Sequence, residues 1–141
     1  MRVLLLTLLV ACSGSAEPEP EPIDGIRLDV AARRPFNPGY RLTTLTYDPG
    51  LGEGTRTLDV HIWYPTESTD FDEVSYSYDV FTDDQVVPDA DLATSAYGGA
   101  FPVQVYSHGD RGFGGSSSFL ARYFATHGWI TIAPDHLDNL T

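Results

Sequence analysis

The stretch that most constrains the fold runs from Phe101 to His136 and reads FPVQVYSHGDRGFGGSSSFLARYFATHGWITIAPDH. It contains a short apolar run, a glycine-rich turn, a segment with apolar residues at helical spacing, and a second apolar run that Pro134 ends. Ser116 to Ser118 offer hydroxyls for a helix start, and Gly128 offers a stop. Two apolar strands joined by one helix predict a crossover connection and a parallel pair of strands.

Two further strands are predicted upstream. The runs YRLTTLTYD and RTLDVHIWYP are joined by the glycine-rich segment PGLGEG, a pattern typical of a hairpin. In the second run, apolar side chains occupy every second position from Leu58 to Tyr64, which predicts one buried face. His61 falls on the opposite face, so we expect it to cover the sheet or reach the surface rather than to act in catalysis. The predicted fold class is therefore α/β, with antiparallel strands leading into a parallel βαβ unit.

Residues 66–100 form an acidic segment, which we predict to be a loop insertion. A short helix around Asp83 to Ala93 is the alternative within this segment, where Pro88 interrupts any longer one. The aspartates lack the glycine and the distal glutamate that an EF-hand calcium loop requires at set spacings. We therefore expect neither a metal site nor a cofactor.

The first 11 residues are predicted to be an export signal rather than part of the fold. Arg2 precedes an apolar run that is too short for a membrane-spanning helix, which needs about 20 residues. The letters LVAC, ending at Cys12, resemble the bacterial lipobox, in which the cysteine is acylated. This resemblance implies a membrane anchor on Cys12, and Ser13 after it implies an outer-membrane lipoprotein in the bacterial envelope. An ordinary secretory signal with a chance cysteine is the alternative.

Residues 12–38 are predicted to be a tether and a transition into a domain at 39–141. Alternating glutamate and proline from Glu17 to Pro22 favour an extended, self-repelling chain. Cys12 is the single cysteine of the sequence, so no disulfide can form within the chain. A net charge of −12 opposes binding to a nucleic-acid backbone and is typical of an exported protein kept in solution by its carboxylates.

Three motifs together resemble α/β-hydrolases of the dienelactone-hydrolase-like group, and most closely those similar to platelet-activating-factor acetylhydrolase. RTLDVHIWYP resembles an early strand of that family, FPVQVYSHG its strand and oxyanion turn, and LARYFATHGWITIAPDH its first helix and next strand. The resemblance covers about residues 56–136. It implies a hydrolase of small ester or lipid substrates, in which a serine attacks the acyl carbonyl, a histidine acts as base and an aspartate orients the histidine.

The same resemblance implies that His108, Gly109 and Asp110 form the oxyanion-hole turn. Gly109 lacks a Cβ, so a substrate can approach, and the N–H that follows it can donate to an oxyanion. Asp110 stands where relatives usually have an apolar residue. A carboxylate about 6 Å from the oxyanion would oppose it by roughly 3 kcal/mol at an effective dielectric near 20. We expect this side chain to point away, toward Arg111 or another cation, so that Asp110 serves the reaction through its backbone.

No residue of the catalytic triad is expected in this chain. The family places its nucleophile in a G-x-S-x-G motif on a later strand, and the sequence contains no such motif. GGSSS at 114–118 lacks the closing glycine, and Ser107 lies at a strand end. Asp135 and His136 match a position that the resemblance implies to be structural. The domain is thus interpreted as the truncated N-terminal part of an α/β-hydrolase sheet, with its triad beyond Thr141.

Two other interpretations stay open. The chain can be a lipid-anchored lipoprotein whose α/β domain has a binding or structural role without chemistry. A metal cluster is the other, because His108, Asp135, His136 and Asp138 have suitable side chains, although their spacing is not that of a known ligand set. A downstream G-x-S-x-G motif followed by Asp and His would favour the hydrolase.

Overall fold

A computed structural model describes residues 35–50, 52, 54–76, 81–94 and 100–136. The predicted signal at 1–11, Cys12 and most of the predicted tether lie outside these residues. In the described part the elements are β1 (Asn37–Tyr47), β2 (Arg56–Thr66), β3 (Asp72–Ser75), β4 (Thr82–Pro88), β5 (Val103–Val105), a 3₁₀ turn (Gly114–Ser117), α1 (Ser118–Thr126) and β6 (Ile130–Pro134).

The strands form one mixed sheet in the order β3-β4-β1-β2-β6-β5. β1 and β2 form an antiparallel hairpin, from Asn37 opposite Thr66 to Tyr47 opposite Arg56. β2 also pairs antiparallel with β6, whereas β6 pairs parallel with β5. Because α1 connects β5 to β6, the predicted antiparallel lead-in and the predicted parallel βαβ unit are both present. The fold is of the α/β type.

The helix α1 ends as predicted but begins differently. Gly128 has a φ of +85°, a conformation that favours glycine, and its N–H donates to Ala125 O at 3.1 Å. At the other end, Ser117 does not cap the helix with its side chain; its hydroxyl donates to the Tyr106 hydroxyl at 2.8 Å. α1 has nine residues, and no helix in the described ranges has the length and apolar character needed to cross a bilayer.

The acidic segment at 66–100 differs both from the loop that its composition predicts and from the alternative of a short helix around Asp83 to Ala93, since Thr82–Pro88 is a strand. β3 and β4 lie within it, pair antiparallel with a shifted register, and join the sheet through two parallel pairs between β4 and β1. Val86 and Val87 are buried. Asp83 is buried as well. Its carboxylate is tolerated there because the Arg122 guanidinium and the Tyr76 hydroxyl both donate to it. Composition missed these strands because their buried contacts depend on α1, which is distant in sequence.

The core lies between the sheet and α1, and it contains His61. The expectation that His61 covers the sheet or reaches the surface is wrong, since the residue is 0% exposed and its ring stacks on that of Trp63. The predicted face of β2 is buried at Leu58, Val60 and Tyr64, and the face that carries His61 is buried as well, under α1. Alternation shows which residues share a face, but it does not show that both faces are covered. The main buried cluster consists of Tyr40, Trp63, Tyr76, Val86, Ala121, Ala125 and Ala133.

The opposite face of the sheet is exposed at β5. Register places Val103 and Val105 beside Ile130 and Ile132, on the face away from α1. The two valines are 55% and 72% exposed. β5 also ends the strand order, so one of its sides has no strand partner within the described residues.

Candidate active site

The predicted oxyanion turn follows β5 at the carboxyl end of the parallel strand pair, where α/β sheets place their sites. The Gly112 N–H donates to Gly109 O at 3.1 Å, which closes a four-residue turn with Asp110 and Arg111 at its centre. Arg111 has a φ of +56°, a left-handed conformation that non-glycine residues seldom adopt. The backbone of this segment is therefore held in one specific conformation.

His108 holds the first end of the turn. The side chain is buried, and its Nε2 accepts the N–H of His136 at 3.0 Å. An accepting Nε2 carries no proton, so the ring proton lies on Nδ1, which donates to Gly109 O at 2.9 Å. His108 thus acts here through hydrogen bonds to backbone, as a fixed neutral imidazole.

Gly114, two residues beyond the turn, anchors the segment that follows it. Its N–H donates to Oδ1 of Asp135, a buried carboxylate at the end of β6. A Cβ on Gly114 would lie 2.5 Å from Ala133 O and 2.5 Å from Cδ2 of His61, so this position requires glycine. Two consecutive residues after β6, Asp135 and His136, therefore hold the two ends of the segment 108–114, which contains the turn.

His61 lies beneath Gly114 and contacts the same carboxylate. Its Nε2 is 3.5 Å from Asp135 Oδ1, and the Tyr40 hydroxyl is 2.8 Å from its Nδ1. A carboxylate only accepts, so Nε2 carries the proton and the Tyr40 hydroxyl donates to Nδ1. Burial lowers the pKa of His61, and burial together with the Asp135 charge raises the pKa of Tyr40. Both side chains are thus neutral near pH 7.

Ser107 and His136 lie next to each other beside the turn. The Ser107 hydroxyl is 2.8 Å from His136 Nε2, and the His136 ring lies 4.6 Å from that of His108, centroid to centroid. Sequence reasoning did not find this contact, although both residues follow strands that pair in parallel. Ser107 does not have the positive φ of a strained strand-to-helix turn, the setting of a nucleophile in α/β-hydrolases.

Asp110 is exposed to solvent at the centre of the turn. The ion pair with Arg111 that we expected is not formed among the described residues. Water screens an exposed carboxylate, so Asp110 opposes a nearby oxyanion less than a buried carboxylate would. The side chain can therefore remain at this position without an ion pair, while the backbone N–H stays available.

Metal ligation finds no support at the carboxyl end of β6. Within the described ranges there is no group of three or more His, Cys, Asp or Glu side chains that could hold a metal ion. Asp138, the fourth member of the cluster considered from the sequence, lies outside these ranges. The described histidines there make the hydrogen bonds given above with Gly109 O and Ser107.

A cleft of about 530 Å³ opens elsewhere, between α1 and the β3–β4 pair. Phe71 and Phe119 line it together with Arg122. None of the turn residues 108–112 takes part, so this concave surface is separate from the turn. The assignment of the site therefore rests on the hydrogen bonds of the turn and its place in the sheet.

Among the solved proteins with a structure similar to this chain is an esterase. No protein-family model and no curated protein matches the chain. Among solved structures, the chain is similar to a ferulic acid esterase from Streptomyces cinnamoneus, with a TM-score of 0.55 and 26% identity. The match covers 78% of this chain and 36% of the esterase. The chain thus has an α/β-type fold similar to part of an esterase, and its narrower resemblance to platelet-activating-factor acetylhydrolase-like enzymes stays a prediction.

Proposed function

We propose that this chain is the N-terminal part of an exported carboxylic-ester hydrolase that uses a serine nucleophile. The observation that carries the proposal is the turn 108–112 in a fold similar to that of an esterase. Residues after β6 form hydrogen bonds with its first residue, His108, and with Gly114, two residues beyond its end. The proposed role of this chain is to supply the oxyanion hole. The triad is proposed to come from the protein beyond Thr141.

The chemistry of the turn follows from its backbone. Ester hydrolysis develops negative charge on the carbonyl oxygen when the nucleophile attacks, and N–H groups already in place stabilise it without reorganisation. The N–H of Asp110, after Gly109, is the proposed donor. Losing one such donor lowers kcat by about 10²–10³, or about 2.7–4 kcal/mol.

The edge strand β5 supports a nucleophile from outside the described residues. Its free side could pair with a further strand, and its exposed Val103 and Val105 could be covered by an element packed on that face of the sheet. A nucleophile at the carboxyl end of that strand would lie next to the turn. This arrangement would let a serine attack the acyl carbon while the Asp110 N–H donates to the carbonyl oxygen of the same ester.

The substrate is proposed to be a small ester or a lipid. Because a structural neighbour is a ferulic acid esterase, an ester of an aromatic acid is the first substrate to test. If Cys12 is acylated, the enzyme would act at the outer membrane of a bacterial envelope. No cofactor is needed for this chemistry.

The test uses the complete gene product with p-nitrophenyl acetate and methyl ferulate, followed by a fluorophosphonate that labels activated serines. Mass spectrometry then locates the label. We expect hydrolysis, with the label on a serine beyond Thr141 and unchanged labelling in Ser107→Ala and in the remote control Ser75→Ala. A label on Ser107 would instead place the nucleophile in this chain, next to His136. An unlabelled protein without hydrolysis would contradict the proposal and favour a lipoprotein with a binding or structural role.

A further inference from the structure

We infer that His61 and Tyr40 are positioning residues for the oxyanion turn and act on it through Asp135. Neither residue lies in the turn itself, and both belong to the long β1–β2 hairpin. The inference rests on the proposed function. It adds to that function a hydrogen-bonded connection between the core of the sheet and the turn.

The connection is continuous in the structure. The Tyr40 hydroxyl lies 2.8 Å from Nδ1 of His61, whose Nε2 faces the Asp135 carboxylate at 3.5 Å. That carboxylate accepts the N–H of Gly114. The Asp135 N–H also donates to Asp59 O at 2.8 Å, which holds the Asp135 backbone to β2. Polar contacts thus connect Tyr40 to Gly114 through His61 and Asp135.

Steric contact acts together with the hydrogen bonds. Gly114 lies so close to His61 that even a methyl group would not fit between them. Rotation of the imidazole would therefore press on the backbone that ends the turn. Tyr40 prevents this rotation by its hydrogen bond, and Trp63 restricts it by stacking, with 5.7 Å between the ring centroids.

The polarity of His61 supports a positioning role. The residue lies among aromatic side chains on the apolar side of the sheet, where a buried polar ring must be fully hydrogen-bonded to be tolerated. An apolar ring would fill the same space without that requirement. What the imidazole adds is direction, because its two nitrogens must face Tyr40 and Asp135.

The experiment compares Tyr40→Phe with Tyr64→Phe in the complete gene product. Each variant loses one tyrosine hydroxyl from the hairpin, but the Tyr64 hydroxyl donates to Ala90 O, away from the turn. We expect Tyr40→Phe to lower kcat for p-nitrophenyl acetate about tenfold with KM unchanged, and Tyr64→Phe to leave both within about twofold. His61→Gln, which keeps an N–H donor, should retain more activity than His61→Phe. Equal kcat in Tyr40→Phe and wild type would overturn the inference.

A second readout does not depend on activity. The amide proton of Gly114 should resonate far downfield in the NMR spectrum, because it donates to a buried carboxylate, and should move upfield in Tyr40→Phe and His61→Phe. An unchanged Gly114 amide in a folded variant would overturn the inference even if the enzyme is active. An inactive wild type would overturn the proposed function, and the Gly114 amide would then decide alone whether His61 positions the turn.

Discussion

The backbone N–H of His136 donates to Nε2 of His108 at 3.0 Å, across 28 positions of sequence. This bond links the second residue after β6 to the first residue of the turn after β5. Because it fixes the proton of His108 on Nδ1, it also sets the bond from Nδ1 to Gly109 O. The first end of the turn thus depends on a histidine that accepts and donates at the same time.

Replacing His108 should therefore disturb both stability and activity. His108→Ala leaves the His136 N–H without its acceptor, at a cost of about 1–3 kcal/mol in the free energy of unfolding. Activity of the complete enzyme should also fall, because the carbonyl oxygen of Gly109 loses the hydrogen bond from His108 Nδ1 and keeps only the one from the Gly112 N–H. His127→Ala is the control: His127 is another buried histidine, but it lies at the end of α1. Equal kcat in both variants would contradict the assigned role of His108.

Asp110 should serve the reaction through its backbone. Asp110→Leu removes the charge and keeps the N–H, so kcat of the complete enzyme should stay similar or rise. Asp110→Pro removes the N–H at the second position of a turn whose next residue has positive φ, a position that accepts proline. Its kcat should fall by about 10²–10³. A hundredfold loss in the leucine variant would show that the carboxylate itself is required.

Gly114 should tolerate no side chain. In Gly114→Ala the new Cβ would meet the Ala133 carbonyl oxygen and the His61 ring, and overpacking of this kind costs about 1–3 kcal/mol. Gly109→Ala is the control for stability, since nothing lies within 4 Å of a Cβ there. Urea unfolding curves of the two variants should differ clearly, and coincident midpoints would show that the backbone at Gly114 moves freely.

The ion pair between Arg122 and Asp83 should stabilise the β3–β4 pair on α1. Its side chains are 18% and 3% exposed, so Arg122→Met would leave a buried carboxylate without its cation, at a cost of about 3–5 kcal/mol. Arg41→Met breaks a pair with Asp89 whose side chains are 50% and 78% exposed, and should cost at most about 1 kcal/mol. Chemical denaturation would measure both. Similar losses of unfolding free energy in the two variants would contradict the prediction that burial makes the Arg122–Asp83 pair the stronger one.

Stability should fall as pH decreases below about 6.5, the ordinary pKa of histidine. Burial lowers the pKa of His61 in the folded protein, and the opposing effect of Asp135 is smaller. The unfolded chain therefore binds the proton first as pH falls, which favours unfolding by up to about 1.4 kcal/mol per pH unit. Urea unfolding at pH 7.5 and pH 5.0 should show a larger loss for wild type than for His61→Phe. Parallel losses would show that His61 does not titrate differently on folding.

The sequence alone was sufficient for the hairpin, the parallel βαβ unit and the presence of a turn after β5. These features are encoded locally, by alternation along strands, by helical spacing and by glycine at a helix end such as Gly128. Each of these patterns depends on residues that lie within a few positions of each other in the sequence. The stretch from Phe101 to His136 therefore predicted its own elements without knowledge of the rest of the chain.

Only the tertiary structure decided how the turn is held. The contacts of Tyr40 with His61, of His61 with Asp135, and of Asp135 with Gly114 join four segments that are distant in sequence. Strand order brings these segments together, and the position of α1 buries the face of β2 that carries His61 in addition to the predicted one. A buried histidine and an exposed one look the same in a pattern of alternation. Their difference arises from water exclusion and from hydrogen-bond partners that only the folded chain supplies.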